Sequence, residues 1–110
     1  MEQFAVMNVA KGEEIAMAVV GGHIPGTGRY KLLAKKRKDG KYEWAHFVER
    51  DNGLKESVYR GEVKNEKELN KVLEIMNRNL VRVFGPHAEM KKGKTEIRSL
   101  MGNKFDDSIN

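Results

Sequence analysis

The chain predicts an α+β fold: an antiparallel sheet of about five strands with one long helix packed on one face and a basic C-terminal arm. Three observations lead there. Strand-length apolar runs are separated by Asp-Gly and Asn-Gly turns, the apolar period then becomes helical over residues 66–84, and apolar content falls after Pro86. With 110 residues the chain fits one domain, and Leu, Ile, Val and Phe make up about a quarter of it, enough for a small core. The domain is expected over residues 1–86 and the partly ordered arm over 87–110.

The first two strands are expected over 3–10 and 14–20, on either side of Lys11-Gly12-Glu13. Ile15-Ala16-Met17-Ala18-Val19-Val20 suits either a buried strand or a turn and a half of helix, because periodicity cannot decide so short a run. Gly21-Gly22 ends it in both cases. Residues 21–28 hold four glycines and one proline, a composition that marks a connecting loop. A phosphate cradle is the weaker reading, since no Gly-Lys-Ser/Thr ending is present and a strand follows where a helix is required.

Three antiparallel strands come next, over 30–36, 42–50 and 54–63. Asp39-Gly40 and Asn52-Gly53 join them, residue types that tolerate the positive φ of tight hairpins. From residue 66 the apolar side chains Leu69, Val72, Leu73, Met76, Leu80, Val83 and Phe84 form one helical stripe. Asn65 caps its start, Glu66 and Glu68 favour the N-terminal dipole, Arg78 and Arg82 lie toward the other end, and Gly85-Pro86 stops it. A short helix over 95–101 is expected in the arm, packing back on the domain or ordering on a partner.

The net charge of +5 is unevenly placed. Arg29, Lys31, Lys35, Lys36, Arg37, Lys38 and Lys41 face a single acid, Asp39, within thirteen positions. A weaker cluster in the arm includes Lys91, Lys92 and Lys94. Clustered cations are the footprint of a phosphate-bearing partner. On the neighbouring strand Tyr42 and Trp44 offer stacking surfaces, worth about 1–3 kcal/mol per base in single-strand binders. Lys31, Leu33, Lys35 and Arg37 are expected on one face of the hairpin, and Tyr30, Leu32, Ala34, Lys36 and Lys38 on the other. The opposing reading packs Tyr42 and Trp44 under the helix and leaves the lysines as solvated edge protection.

Other classes are limited by composition. The absence of cysteine excludes disulfides, thiolate zinc, iron–sulfur clusters and a cysteine nucleophile. His23, His46 and His87 are scattered without metal-ligand spacing, so neither metal nor cofactor is expected. No run reaches the ~20 apolar residues of a bilayer span, and the N-terminus lacks a basic n-region. The expectation is therefore a cytoplasmic chain with no membrane partner.

The favoured function is a non-catalytic accessory protein that contacts the phosphate backbone of DNA or RNA through the basic hairpin. Arg29, Lys31, Lys35, Lys36, Arg37, Lys38, Lys41, Lys91, Lys92 and Lys94 would supply the charge, with Tyr42 and Trp44 as stackers. The rival is a protein–protein module that binds an acidic surface or forms a homodimer. A third reading, a small basic ribonuclease, would draw on His46, Arg50, Tyr59 and a lysine.

The order of strands followed by one long helix is similar in outline to Whirly- and Pur-type single-strand binders. Residues 29–84 also resemble in outline the three-stranded sheet plus helix of integrase-like amino-terminal DNA-binding domains. The resemblance is one of architecture and implies no particular residues.

Overall fold

A computed structural model of the chain describes residues 7–92. Its elements are β1 (Glu14–Val20), β2 (Gly28–Lys36), β3 (Tyr42–Arg50), β4 (Lys55–Val63), α1 (Glu66–Phe84), a 3-10 turn (Pro86–Ala88) and β5 (Lys91–Lys92). The strands form one antiparallel sheet in the order β4-β3-β2-β1-β5. Among the described residues the chain thus adopts an α+β fold with one helix packed on the sheet, and the expected limits of that helix are reproduced.

Both hairpin turns work as their sequences require. Gly40 and Gly53 sit at φ of 90° and 91°, each closing a loop in which its N–H bonds back to the residue ending the preceding strand or just beyond it. Asp39 Oδ1 and Asn52 Oδ1 accept the N–H groups of Lys41 and Leu54, both at 3.0 Å. The turns fix the register, so Lys35 comes opposite Glu43 and Ala34 opposite Trp44.

α1 is held at both ends. Asn65 Oδ1 accepts the Glu68 N–H at 2.9 Å and Glu68 Oε1 accepts the Lys64 N–H at 3.0 Å, a close relative of the capping box. At the other end the Gly85 N–H donates to the Val81 carbonyl. The helix buries Leu69 and Leu80 against Met17, Val19, Leu32 and Ala34 of the sheet, with Ala88 and Met90 completing this core. A second, smaller core lies on the opposite sheet face, where Met7 packs with Ala18, Leu33, Ala45 and Phe47. Both faces of the central strands are therefore covered. That explains the unbroken apolar run in β1: its register shifts between Ile15 and Met17, and its side chains feed both cores.

Two expectations are corrected. The fifth strand is not the segment 3–10: residues 7–10 are outside any strand, and residues 3–6 lie outside the described part. It is β5, paired with Val19 and Val20 of β1. The domain consequently runs on past residue 86. Ala88 and Met90 are buried, and the Asn77 side chain brackets the Met90 backbone, donating to its carbonyl at 3.1 Å and accepting its N–H at 2.8 Å. Lys94 and the expected helix over 95–101 lie outside the described residues. No helix among the described residues is long and apolar enough to cross a membrane.

Candidate functional site

The basic hairpin divides by face. Lys31 and Lys35, together with Glu43 and Glu49, stand on the sheet face away from α1. Lys31 is 2% exposed and bonds Glu49, whose other oxygen lies 3.4 Å from Lys55. Lys35 is 8% exposed, donates to Glu13 at 3.0 Å and to the Asn8 carbonyl, and lies 3.5 Å from Glu43. Arg37 engages both Glu62 and Asp39. The carboxylates respond to these neighbours. Burial alone would raise the Glu49 carboxyl, but the Lys31 hydrogen bond and the charges of Lys31 and Lys55 bring it below its ordinary range. The Ala10 N–H and then Lys35 likewise lower Glu13.

Lys31 and Lys35 are therefore not members of a free cationic ribbon. Register places acidic β3 against basic β2, and the segment preceding β1 lies over Lys35 and delivers Glu13 to it. Tyr42 and Trp44 are also displaced from the expected surface: both are half-buried on the helix side, packed against the main core. Lys36, Lys38 and Lys41 remain exposed around the hairpin tip, and no ion pair among the described residues holds them. Arg29, exposed and donating to the Gly21 carbonyl at 3.3 Å, lies seven residues along β2 from Lys36, roughly 23 Å away. Lys91 and Lys92, on the edge strand beside β1, belong to the Arg29 end of the sheet. The expected cations thus form two separate groups.

A third group was missed by considering the hairpin alone. Lys67, Lys71, Arg78 and Arg82 lie on the solvent side of α1, opposite buried Leu69 and Leu80, and all four are exposed. None has an ion-pair partner among the described residues; Arg82 bonds only the Asn79 amide oxygen. Their spacing of four, seven and four residues puts them on one stripe, about 22 Å long at 1.5 Å per residue, with Glu74 among them. A helical projection of the sequence carries this signal.

The glycine-rich loop makes backbone contacts. Gly22 donates to the His87 carbonyl at 3.0 Å, and a Cβ on it would lie 2.2 Å from that oxygen. Close approach to the turn after α1 accounts for the glycine there. The ribonuclease set comes together only in part: Tyr59 lies across the strand from His46, but His46 is buried and Arg50, four residues along β3, is held by Glu56 at 3.0 Å.

One cleft opens beside the main core, between α1 and the β3–β4 pair. Its volume is about 450 Å³, within the range typical of ligand pockets. Trp44, His46 and Tyr59 line it from the sheet, and Ile75, Met76, Asn79 and Leu80 from the helix. Trp44 fits because its cross-strand neighbour is Gly61: a Cβ there would come 2.6 Å from the indole ring. The His46 and Tyr59 rings lie nearly parallel, 14° apart in plane, with centroids 6.3 Å apart. Trp44 Nε1 and both ring nitrogens of His46 are buried without a hydrogen-bond partner among the described residues. Such groups cost about 1–3 kcal/mol each when left unsatisfied. Burial pushes the His46 pKa down to about 4, so at neutral pH the ring is uncharged and offers one donor and one acceptor.

Neither a protein-family model, nor a curated protein, nor a solved structure matches the chain. The reading of function therefore rests on this geometry.

Proposed function

We propose that the chain is a small, non-catalytic accessory protein that binds the phosphate backbone of DNA or RNA, chiefly through the outer stripe of α1. The sorting of charge supports this reading. Carboxylates on the far sheet face are matched by Lys31, Lys35, Arg37, Lys55 and Arg60. Lys67, Lys71, Arg78 and Arg82 keep their charge unmatched along one helix face, with Lys36, Lys38 and Lys41 as a second contact at the hairpin tip. Exposed cations of this kind release counterions on meeting phosphate. They carry no information about base sequence.

The test is salt dependence. On a single-stranded oligonucleotide, log affinity falls with log salt at about −0.7 per phosphate neutralised. Changing all four helix cations to Ala flattens that slope by about 3, and changing Lys36, Lys38 and Lys41 flattens it by about 2. Unchanged slopes, or no binding even at low salt, would overturn the reading.

A second reading is protein association, favoured by exposed Val58 and Tyr59 on β4 and exposed Leu54 just before it. Among the described residues that strand has no neighbour on its outer side. A concentration-dependent oligomer in light scattering that Tyr59→Lys abolishes would support it as a homodimer.

A further inference from the structure

The cleft between α1 and the β3–β4 pair has two unlike parts. Its body is apolar, with Trp44 and His46 as the sheet wall and Met76 and Leu80 facing them from α1. Trp44 Nε1 and both His46 nitrogens are sealed, each with less than 1 Å² of accessible surface, so this wall offers an occupant carbon and no hydrogen-bonding edge. The His46 ring is uncharged at neutral pH, which keeps the wall free of a cation. Tyr59 and Ile75 line the cleft from opposite sides and are 63% and 52% exposed, apolar surface left in water at the opening.

The polar part belongs to α1. Ile75, Asn79 and Arg82 follow one another at steps of four and three residues, so they share one line along the helix. Arg82 Nη2 donates to Asn79 Oδ1 at 3.0 Å, which brings the guanidinium to the rim beside a lining residue. That bond engages the amide oxygen. What this end has left to offer is donors, the Asn79 N–H₂ group and the remaining N–H groups of Arg82. Among the described residues Arg82 has no carboxylate partner, and no aspartate or glutamate lines the cleft. A plain hydrocarbon would fit the walls and gain nothing from this end, and a cation would be repelled by it. An apolar chain or ring ending in a carboxylate covers the walls and matches the guanidinium fork with its two oxygens.

We infer that the cleft is a binding site for a small carboxylic acid with an apolar body, bound as the carboxylate. Arg82 holds the carboxylate at the rim and the Asn79 N–H₂ group donates to it. The apolar body lies between Trp44 and His46 on one side and Ile75, Met76 and Leu80 on the other. The site goes beyond backbone binding: it needs Arg82 and no other member of the helix stripe.

Octanoate is the probe, at pH 7.5 and with no nucleic acid present. Trp44 lines the cleft and is the only tryptophan in the chain, so its emission reports occupancy. Octanoate is expected to change that emission saturably, and acetate, which has no body to fill the cleft, to leave it unchanged. From hexanoate to octanoate to decanoate the dissociation constant is expected to fall about fourfold per added CH₂. Octanol and octylammonium carry the same body and are expected to bind at least about tenfold more weakly than octanoate. Arg82→Gln should remove that preference, weakening octanoate about tenfold and leaving octanol unchanged. Arg82→Lys should restore part of it. Arg82 is exposed and bonds only the Asn79 side chain, so neither change threatens the fold. Ile75→Glu, at an exposed position, sets a carboxylate beside the opening and should abolish octanoate binding with the melting temperature unchanged.

The inference is overturned if octanoate leaves the Trp44 emission unchanged at millimolar concentration, if acetate moves it equally, or if affinity does not rise with chain length. It is overturned as well if octanol or octylammonium matches octanoate, or if Arg82→Gln keeps the parent's preference, since the cavity would then be blind to the head group. Oligonucleotide binding without an octanoate response would leave backbone binding standing and remove this site. Octanoate binding without oligonucleotide binding at low salt would do the reverse.

Discussion

His46 is neutral because folding takes its imidazole out of water without giving it a counter-charge. Its pKa moves from an ordinary value of 6.5 to about 4. Between those values the unfolded chain binds a proton that the folded chain refuses, so stability rises with pH across the window. The contribution is complete above about pH 6.5 and is lost progressively as pH falls toward 4, on the order of 3 kcal/mol in all. Glu13 and Glu49 add a separate loss. Their carboxyls are lowered from 4.5 on folding, so their share is present above that value and disappears as pH drops through the lowered one. Urea unfolding from pH 7.5 down to about pH 3 is expected to show both parts. His46→Phe is expected to flatten the slope above pH 4.5 and keep the carboxylate part; a variant with the parent slope would assign the acid sensitivity elsewhere. Sequence made His46 visible as a mid-strand histidine. It could not show that Tyr30 and Tyr59 flank the ring without hydrogen-bonding it, with centroids 5.5 and 6.3 Å away.

Among the elements, the β2–β3 hairpin shows what pattern alone leaves out. Its strands and turn were legible because Gly40 satisfies a backbone requirement written in the residue type. The fate of its charges was half legible. Once the turn is centred on Asp39-Gly40, Lys35 must meet Glu43, and counting out that register would have removed this lysine from the proposed ribbon. Glu13 and the Asn8 carbonyl come from a segment more than twenty residues away, and no local period announces them. Lys35 is thereby tied to three oxygens, at a site where removing one charged partner strands the others. Lys35→Met is expected to cost about 3 kcal/mol in denaturant unfolding. Adding Glu13→Gln to that variant should recover part of the loss, since the stranded carboxylate is then gone; strictly additive losses would show that the two groups do not interact.

For the molecule as a whole, the sheet is a middle layer. Sequence periodicity gave the helix its limits because one apolar stripe faced one core. It misplaced the fifth strand because β5 is two residues long and owes its position to Asn77, whose amide pairs with Met90 as a neighbouring strand would. Asn77→Ala is expected to release β5: amide exchange at Val19, Val20 and residues 90–92 should accelerate, with the β2–β4 amides retaining their protection. Equal acceleration throughout would mean that this clasp supports the entire core and not just its margin. The seat of Trp44 on Gly61 has a consequence of its own. The floor of the cleft is set by a bare α-carbon on a strand edge, so a one-codon change at position 61 would tilt the indole and reshape the cavity with every wall residue left in place.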